Sequence, residues 1–163
     1  MNDFFQHPSI LVFFHNATNG IRFNDFEEAK RCNAKDKYSA LYKISPSYRV
    51  NGKYEFLLEY KEGFVHWRQS NNPLHETEQG TASVKGYYFV NKSVKTLGAF
   101  GGLARTNAQN LGCISTLLDG ITRDSNWWYS IGTIHCCESM WNDNVIPGPI
   151  QSVNYVKLWI RVN

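Results

Sequence analysis

Residues 52–69 read GKYEFLLEYKEGFVHWRQ, and the spacing of their apolar side chains decides the fold. Tyr54, Phe56, Leu58 and Tyr60 recur at every second position, with Glu55 and Glu59 on the alternate positions. That is the period of a strand whose two faces meet different surroundings. KEG (61–63) interrupts the run and FVHWRQ (64–69) resumes it, so the stretch predicts a β-hairpin.

Other strand signals lie on both sides of it. SILVFFH (9–15) is a short apolar run ended by the turn-rich NATNG, and TASVKGYYFVN (81–91), WWYSIGTIHCC (127–137) and VNYVKLWIRV (153–162) complete the set. In the last, Val156, Leu158, Ile160 and Val162 form an apolar face, while Tyr155, Lys157, Trp159 and Arg161 form the other. Helix is limited to NDFEEAKRCN (24–33), with Asn24 or Asp25 as cap, and YSALYKI (38–44) fits either a short helical piece or a strand. Residues 101–126, with Gly, Asn and Asp throughout, read as a loop. No repeat or linker divides the chain. The expectation is one all-β domain over residues 1–163, an antiparallel β-sandwich or jelly roll with a short N-terminal helical segment at one end.

At 163 residues such a domain buries roughly 70% of its unfolded surface and needs no metal or disulfide merely to fold. Aromatic residues make up 15% of the chain and charged ones 19%, a balance that favours strands and argues against disorder. The net charge of +3 comes from scattered Lys and Arg, without the basic run that would mark a nucleic-acid footprint. No apolar run approaches a membrane span. The start, MNDFFQHPSILVFF, lacks a basic leader and a small-residue cleavage site, so it does not read as a signal peptide.

SNWWYSIGTIHCCESMW (125–141) concentrates the chemistry-bearing residues. On strand alternation Trp127, Tyr129, Ile131, Thr133, His135 and Cys137 share one face and Trp128, Ser130, Gly132, Ile134 and Cys136 the other. Neither face is cleanly polar, which fits a central strand covered on both sides. His135 and Cys136 point apart, no third group is evident to orient a base for Cys137, and no GxSxG occurs, so we read the chain as a non-enzyme. Cys32, Cys113, Cys136 and Cys137 are an even set without CxxC spacing; they read as disulfide candidates of open connectivity rather than a zinc site. The sequons Asn16-Ala17-Thr18 and Asn91-Lys92-Ser93 permit glycosylation. We therefore favour an extracellular location over an intracellular one. Asp119, Asp124, Glu138 and Asp143 could give calcium its oxygen ligands, but they lack an EF-hand pattern, and solvated or capping roles are commoner for such loop acids. No cofactor is otherwise implied.

Three tryptophan-centred clusters suggest a ligand. HWRQSNNP (66–73) offers Trp67, Arg68 and Asn71; SNWWYS with the residue before it offers Asp124, Asn126 and Trp128; MWNDN (140–144) offers Trp141, Asn142 and Asp143. Sugars are read by this chemistry: an indole stacks on the apolar face of the ring, while Asn, Asp and Arg hydrogen-bond its hydroxyls. Stacking contributes on the order of 1 kcal/mol beyond area burial, so such a lectin is weak per site and gains from multivalency, for which a homo-oligomer is one route. The competing reading is a structural or interaction domain of a matrix, capsid or adhesive protein, its tryptophans filling the core.

The order of short motifs also resembles a family. Asn19-Gly20-x-x-Phe23, Tyr38-Ser39-x-Leu41, Trp67 to Pro73, Gly101 to Ala104, Leu117 to Gly120, Trp127 to Gly132 and Ile146 to Pro149 precede the final VKLWIRV. The succession resembles a poorly characterised domain of secreted or cell-surface proteins in marine invertebrates and some unicellular eukaryotes. The resemblance spans most of the chain and implies a lectin-like or adhesion module whose partners are glycans or glycoproteins, with no active site to carry over. The cysteines stand outside it. If the protein is extracellular, thiol titration of the unfolded chain finds no free cysteine; four free thiols would assign it to a reducing compartment.

Overall fold

A computed structural model describes residues 3–16, 33–34, 37–61, 63–72, 84–93, 102–106, 116–119, 130–133, 145–146, 151–152 and 155–163. Twelve strands appear among them. In chain order they are β1 (Ser9–Asn16), β2 (Asn33–Ala34), β3 (Lys37–Ser39), β4 (Tyr54–Tyr60), β5 (Gly63–Gln69), β6 (Tyr88–Lys92), β7 (Leu103–Thr106), β8 (Thr116–Asp119), β9 (Ser130–Thr133), β10 (Val145–Ile146), β11 (Gln151–Ser152) and β12 (Tyr155–Arg161). Seven form one antiparallel sheet in the order β2-β3-β1-β12-β4-β5-β6. β7, β8 and β9 form a second sheet, and β10 pairs with β11.

The hairpin expected over 52–69 is β4 and β5, paired from Tyr54 with Gln69 to Tyr60 with Gly63. This register carries the alternation of β4 onto its neighbours. Leu158 of β12 lies opposite Phe13 and Leu58, and Leu58 lies opposite Val65; all four are buried. One step along, Ile160, Phe56 and Trp67 repeat the row, with Trp67 stacked on Phe56 at a centroid distance of 5.4 Å. In β1 the register shifts between Leu11 and Phe13. An extra residue there places both Val12 and Phe13 in the core, which simple alternation forbids. The expected apolar face of the last strand is present: Val156, Leu158 and Ile160 are buried.

Several expectations require correction. The described residues contain no α-helix, only 3-10 turns at Asp3–Gln6, Leu41–Lys43 and Pro46–Tyr48. Most of the expected N-terminal helix, 24–32, lies outside the described residues, and its last residue, Asn33, begins β2. YSALYKI divides into strand (β3) and 3-10 turn, so each alternative holds for part of it. Of the strand expected over 81–91, residues 81–83 lie outside the described residues, 84–87 are not strand, and β6 starts at Tyr88, after Gly86 turns the chain at φ +61°. Residues 101–126 are not all loop: β7 and β8 lie within them and pair in parallel, an exception to the antiparallel rule of the rest. Those strands, LART and TLLD, show no clear period of two and sit among Gly, Asn and Asp, so the stretch reads as a loop. Of the strand expected over 127–137, Ser130–Thr133 is described as β9.

One buried side chain ties the second sheet to the first. Gln69, fully buried, accepts from Trp67 Nε1 at 2.7 Å and from the Leu103 amide at 2.8 Å, and donates to the carbonyls of Asn71 and Leu103, both at 2.9 Å. All four hydrogen-bonding positions of the carboxamide are occupied, and Leu103 enters the core. Gly102, at φ +96°, permits this approach; a Cβ there would come within 2.9 Å of Val84 Cγ1 and 3.0 Å of Gln69 Oε1. Gly52 has a similar φ, +77°, but open space around it. Both Gly→Ala variants carry the backbone penalty of about 1 kcal/mol. Gly102→Ala should cost about 1–3 kcal/mol more through crowding. Chemical denaturation of the two variants checks the difference.

Candidate functional site

The side of the large sheet away from this core is neither apolar nor simply solvated. Glu55, Leu57 and Glu59 of β4 project there, as the alternation of the hairpin requires, together with Trp159 and Arg161 of β12 and His66 and Arg68 of β5. The 3-10 turn Asp3–Gln6 folds over part of it. Phe4 is buried edge-on against His66, with ring centroids 5.1 Å apart, and Phe5 stands edge-on to Trp159 at 5.4 Å. Trp159 Nε1 donates to Glu59 Oε2 at 2.8 Å, and Lys157 Nζ lies 3.6 Å from Glu59 Oε1.

Glu55 is the centre of the other end. Its side chain is only 3% exposed, yet it is ionised and both its oxygens are partnered. His66 Nε2 donates to Oε1 at 2.9 Å, while Arg68 Nε at 2.8 Å and Arg161 Nη1 at 3.4 Å share Oε2. Burial by itself raises a carboxyl pKa. Here the hydrogen bonds from His66 and Arg68, with the guanidinium charge, outweigh it and lower the pKa from 4.5 to about 2. In register, Glu55 lies opposite Arg68, and Arg68 lies opposite Tyr88 of β6. Tyr88 is 56% exposed, and Lys53 Nζ stands 5.8 Å from its ring centroid while donating to the Gly86 carbonyl at 2.9 Å. The result is a row across the sheet: Arg161, Glu55, Arg68 and an open tyrosine ring.

The residues expected to bind a ligand fare differently. Trp67 and Asn71 are brought close together, but inside the molecule. Trp67 is fully buried with its N–H given to Gln69, so neither indole face is open to a sugar. Asn71 Oδ1 accepts from the Lys85 amide at 2.9 Å, and Asn72 Nδ2 donates to the Leu41 carbonyl at 3.4 Å, so these amides brace loops. Arg68 alone of this group is on the open side. Asp124, Asn126, Trp128, Trp141, Asn142 and Asp143 lie outside the described residues, as do Cys32, Cys113, Cys136 and Cys137. Asp119 ends β8, and the other acids weighed for calcium lie outside the described residues; among those described, no three His, Cys, Asp or Glu are grouped to hold a metal. Nor is any described helix long and apolar enough to cross a membrane.

Sequence reasoning passed over Glu55, His66, Tyr88, Lys53, Trp159 and Arg161 as site residues. The period of two already placed Glu55 with Glu59 and Trp159 with Arg161 on the polar sides of their strands. What it could not supply was that these strands are neighbours. Comparison with protein-family models, curated proteins and solved structures finds no match for this chain.

Because the folded pKa of Glu55 lies below the unfolded one, its stabilising contribution is present above pH 4.5 and is lost as pH falls towards 2. The contribution is on the order of 3 kcal/mol. Glu55→Gln should lower the melting temperature at neutral pH and flatten its fall between pH 4.5 and 2. Melting curves of both proteins across that window test this; equal slopes would remove Glu55 from the account.

Proposed function

We propose that the chain is a secreted, non-enzymatic glycan-binding or adhesion module built as a β-sandwich. The second layer of that sandwich is the β7-β8-β9 sheet. Supporting it are Leu103 of β7 in the core on the apolar side of the large sheet, and the approach of β9 to β1 and β12. The observation that carries the functional reading is the exposed ring of Tyr88 directly across from Arg68. A sugar's apolar face stacks on such a ring while the guanidinium hydrogen-bonds its oxygens. Trp159, half-buried beside Phe5, extends the aromatic surface along the same side. The tryptophan-bearing stretches 124–128 and 141–143, proposed from sequence, would add a second contact region.

A second reading, a structural or interaction domain without a glycan site, is favoured by the burial of Trp67, Asn71 and Asn72. A glycan array read with and without calcium, followed by titration of the best ligand, separates the two. Tyr88→Ala should weaken glycan binding roughly fivefold, the loss of one stacking contact. Its melting temperature should barely move, since the ring is more than half exposed. The glycan should be recovered chemically unaltered. An array without ligands, or a Tyr88→Ala protein that binds as before, favours the structural reading.

A further inference from the structure

We infer that the ligand of this surface is an acidic glycan, its carboxylate or sulfate held by Arg68 and Arg161 beside the Tyr88 ring. The inference rests on the glycan-binding reading above and names its substrate class. Three features of the row carry it.

The first is a balance of charge. Two guanidiniums answer a single carboxylate, Arg68 at 2.8 Å and Arg161 at 3.4 Å from the same oxygen of Glu55. Lys53, beside the Tyr88 ring, adds a further cation. The other carboxylate of β4, Glu59, is taken up by Trp159 and Lys157. Among the described residues, this end of the sheet is therefore net positive.

The second is hydrogen-bonding polarity. A neutral sugar presents hydroxyls, which both donate and accept, and a site for it offers both kinds of partner. Here Glu55 offers a ligand no acceptor, since its side chain is only 3% exposed and both oxygens already accept, Oε1 from His66 and Oε2 from the two arginines. Arg68, Arg161 and Lys53 only donate. A surface dominated by donors complements a group that only accepts, and on a glycan that group is a carboxylate or a sulfate.

The third is positioning. Arg68 engages Glu55 through Nε, and its side chain is 38% exposed, so the terminal pair of NH2 groups is available for a second oxyanion in the bidentate geometry arginine favours. Glu55 is thus a positioning residue: it holds two like charges side by side that would otherwise separate.

Calorimetric titration of the full chain with oligogalacturonate (carboxylate), a heparin-derived oligosaccharide (sulfate) and cellohexaose (neutral) tests this. An acidic oligosaccharide should bind, more weakly as salt rises, and cellohexaose should not. Arg68→Gln and Arg161→Gln should each weaken binding roughly tenfold. Arg68→Lys should recover only part of it, since charge returns without the fork. Lys61→Gln, at the far end of the hairpin, should bind as wild type. Because each Arg→Gln change also strips a partner from buried Glu55, thermal melts accompany every variant. The double variant Glu55→Gln with Arg68→Gln, which leaves no buried charge unpaired, replaces Arg68→Gln should that fail to fold.

Cellohexaose binding as tightly as the acidic sugars, with the binding lost on Tyr88→Ala, overturns the acidic inference and leaves the glycan surface standing. Equal weakening by Lys61→Gln and Arg68→Gln reduces it to diffuse charge attraction and overturns it too. Binding of no sugar, acidic or neutral, overturns the glycan reading itself.

Discussion

The register between β4 and β5 is the constraint on which the rest of the molecule depends. It sets Phe56 opposite Trp67 on one side and Glu55 opposite Arg68 on the other. A slip of β5 by one residue would bring His66 and Arg68 into the core and expel Val65 and Trp67 to the other side. The large apolar area on one side makes that slip prohibitively costly. The same alternation passes to β12 and β1, so the core and the charged row are two faces of one decision. The Asn51-Gly52 turn leads the chain into β4. Both residues adopt positive φ, and Val50 and Lys53 exchange backbone hydrogen bonds at 2.8 and 3.2 Å across the turn.

On each side one buried polar group is central. On the core side Gln69 bonds both the amide and the carbonyl of Leu103, so the small sheet docks on the large one with these two backbone groups satisfied. On the other side Glu55 is nearly inaccessible and would be prohibitive to bury alone; three donors make it tolerable. Replacing such a network with packed hydrophobes is often neutral or stabilising elsewhere, so stability alone is a poor account of its presence. Gathering two arginines beside an open tyrosine ring is a better one.

Burial also explains why WRQSNN misleads when read as a ligand site. An aromatic, a guanidinium and three amides in succession have the composition of a sugar site. In the fold the strand alternation sends Trp67 and Gln69 inward and Arg68 outward, and the amides that follow tie down the chain at Lys85 and Leu41. Only one of three expected residues in that cluster remains available to a ligand. The rings that face solvent there are Tyr88 and Phe89, from a segment whose sequence, YYFVN, carries no polar cluster to draw attention.

What the sequence determined by itself is what a local period can encode. The strand character of 9–16, 54–60, 63–69 and 155–161, the hairpin, and the apolar face of the last strand all follow from side chains alternating about a pleated backbone. The polar faces holding Glu55 and Arg161 were legible in the same way. Tertiary structure decided what depends on partners distant in the chain. β12 inserts between β1 and β4, which brings Arg161 to Glu55 across 106 positions. β7 and β8 become strands although their residues alternate poorly. Val12 and Phe13 turn the same way because β12 leaves room for a bulge. A period of two states which residues share a face of one strand; it contains nothing about which strand lies alongside, and the charged row exists only once that is settled.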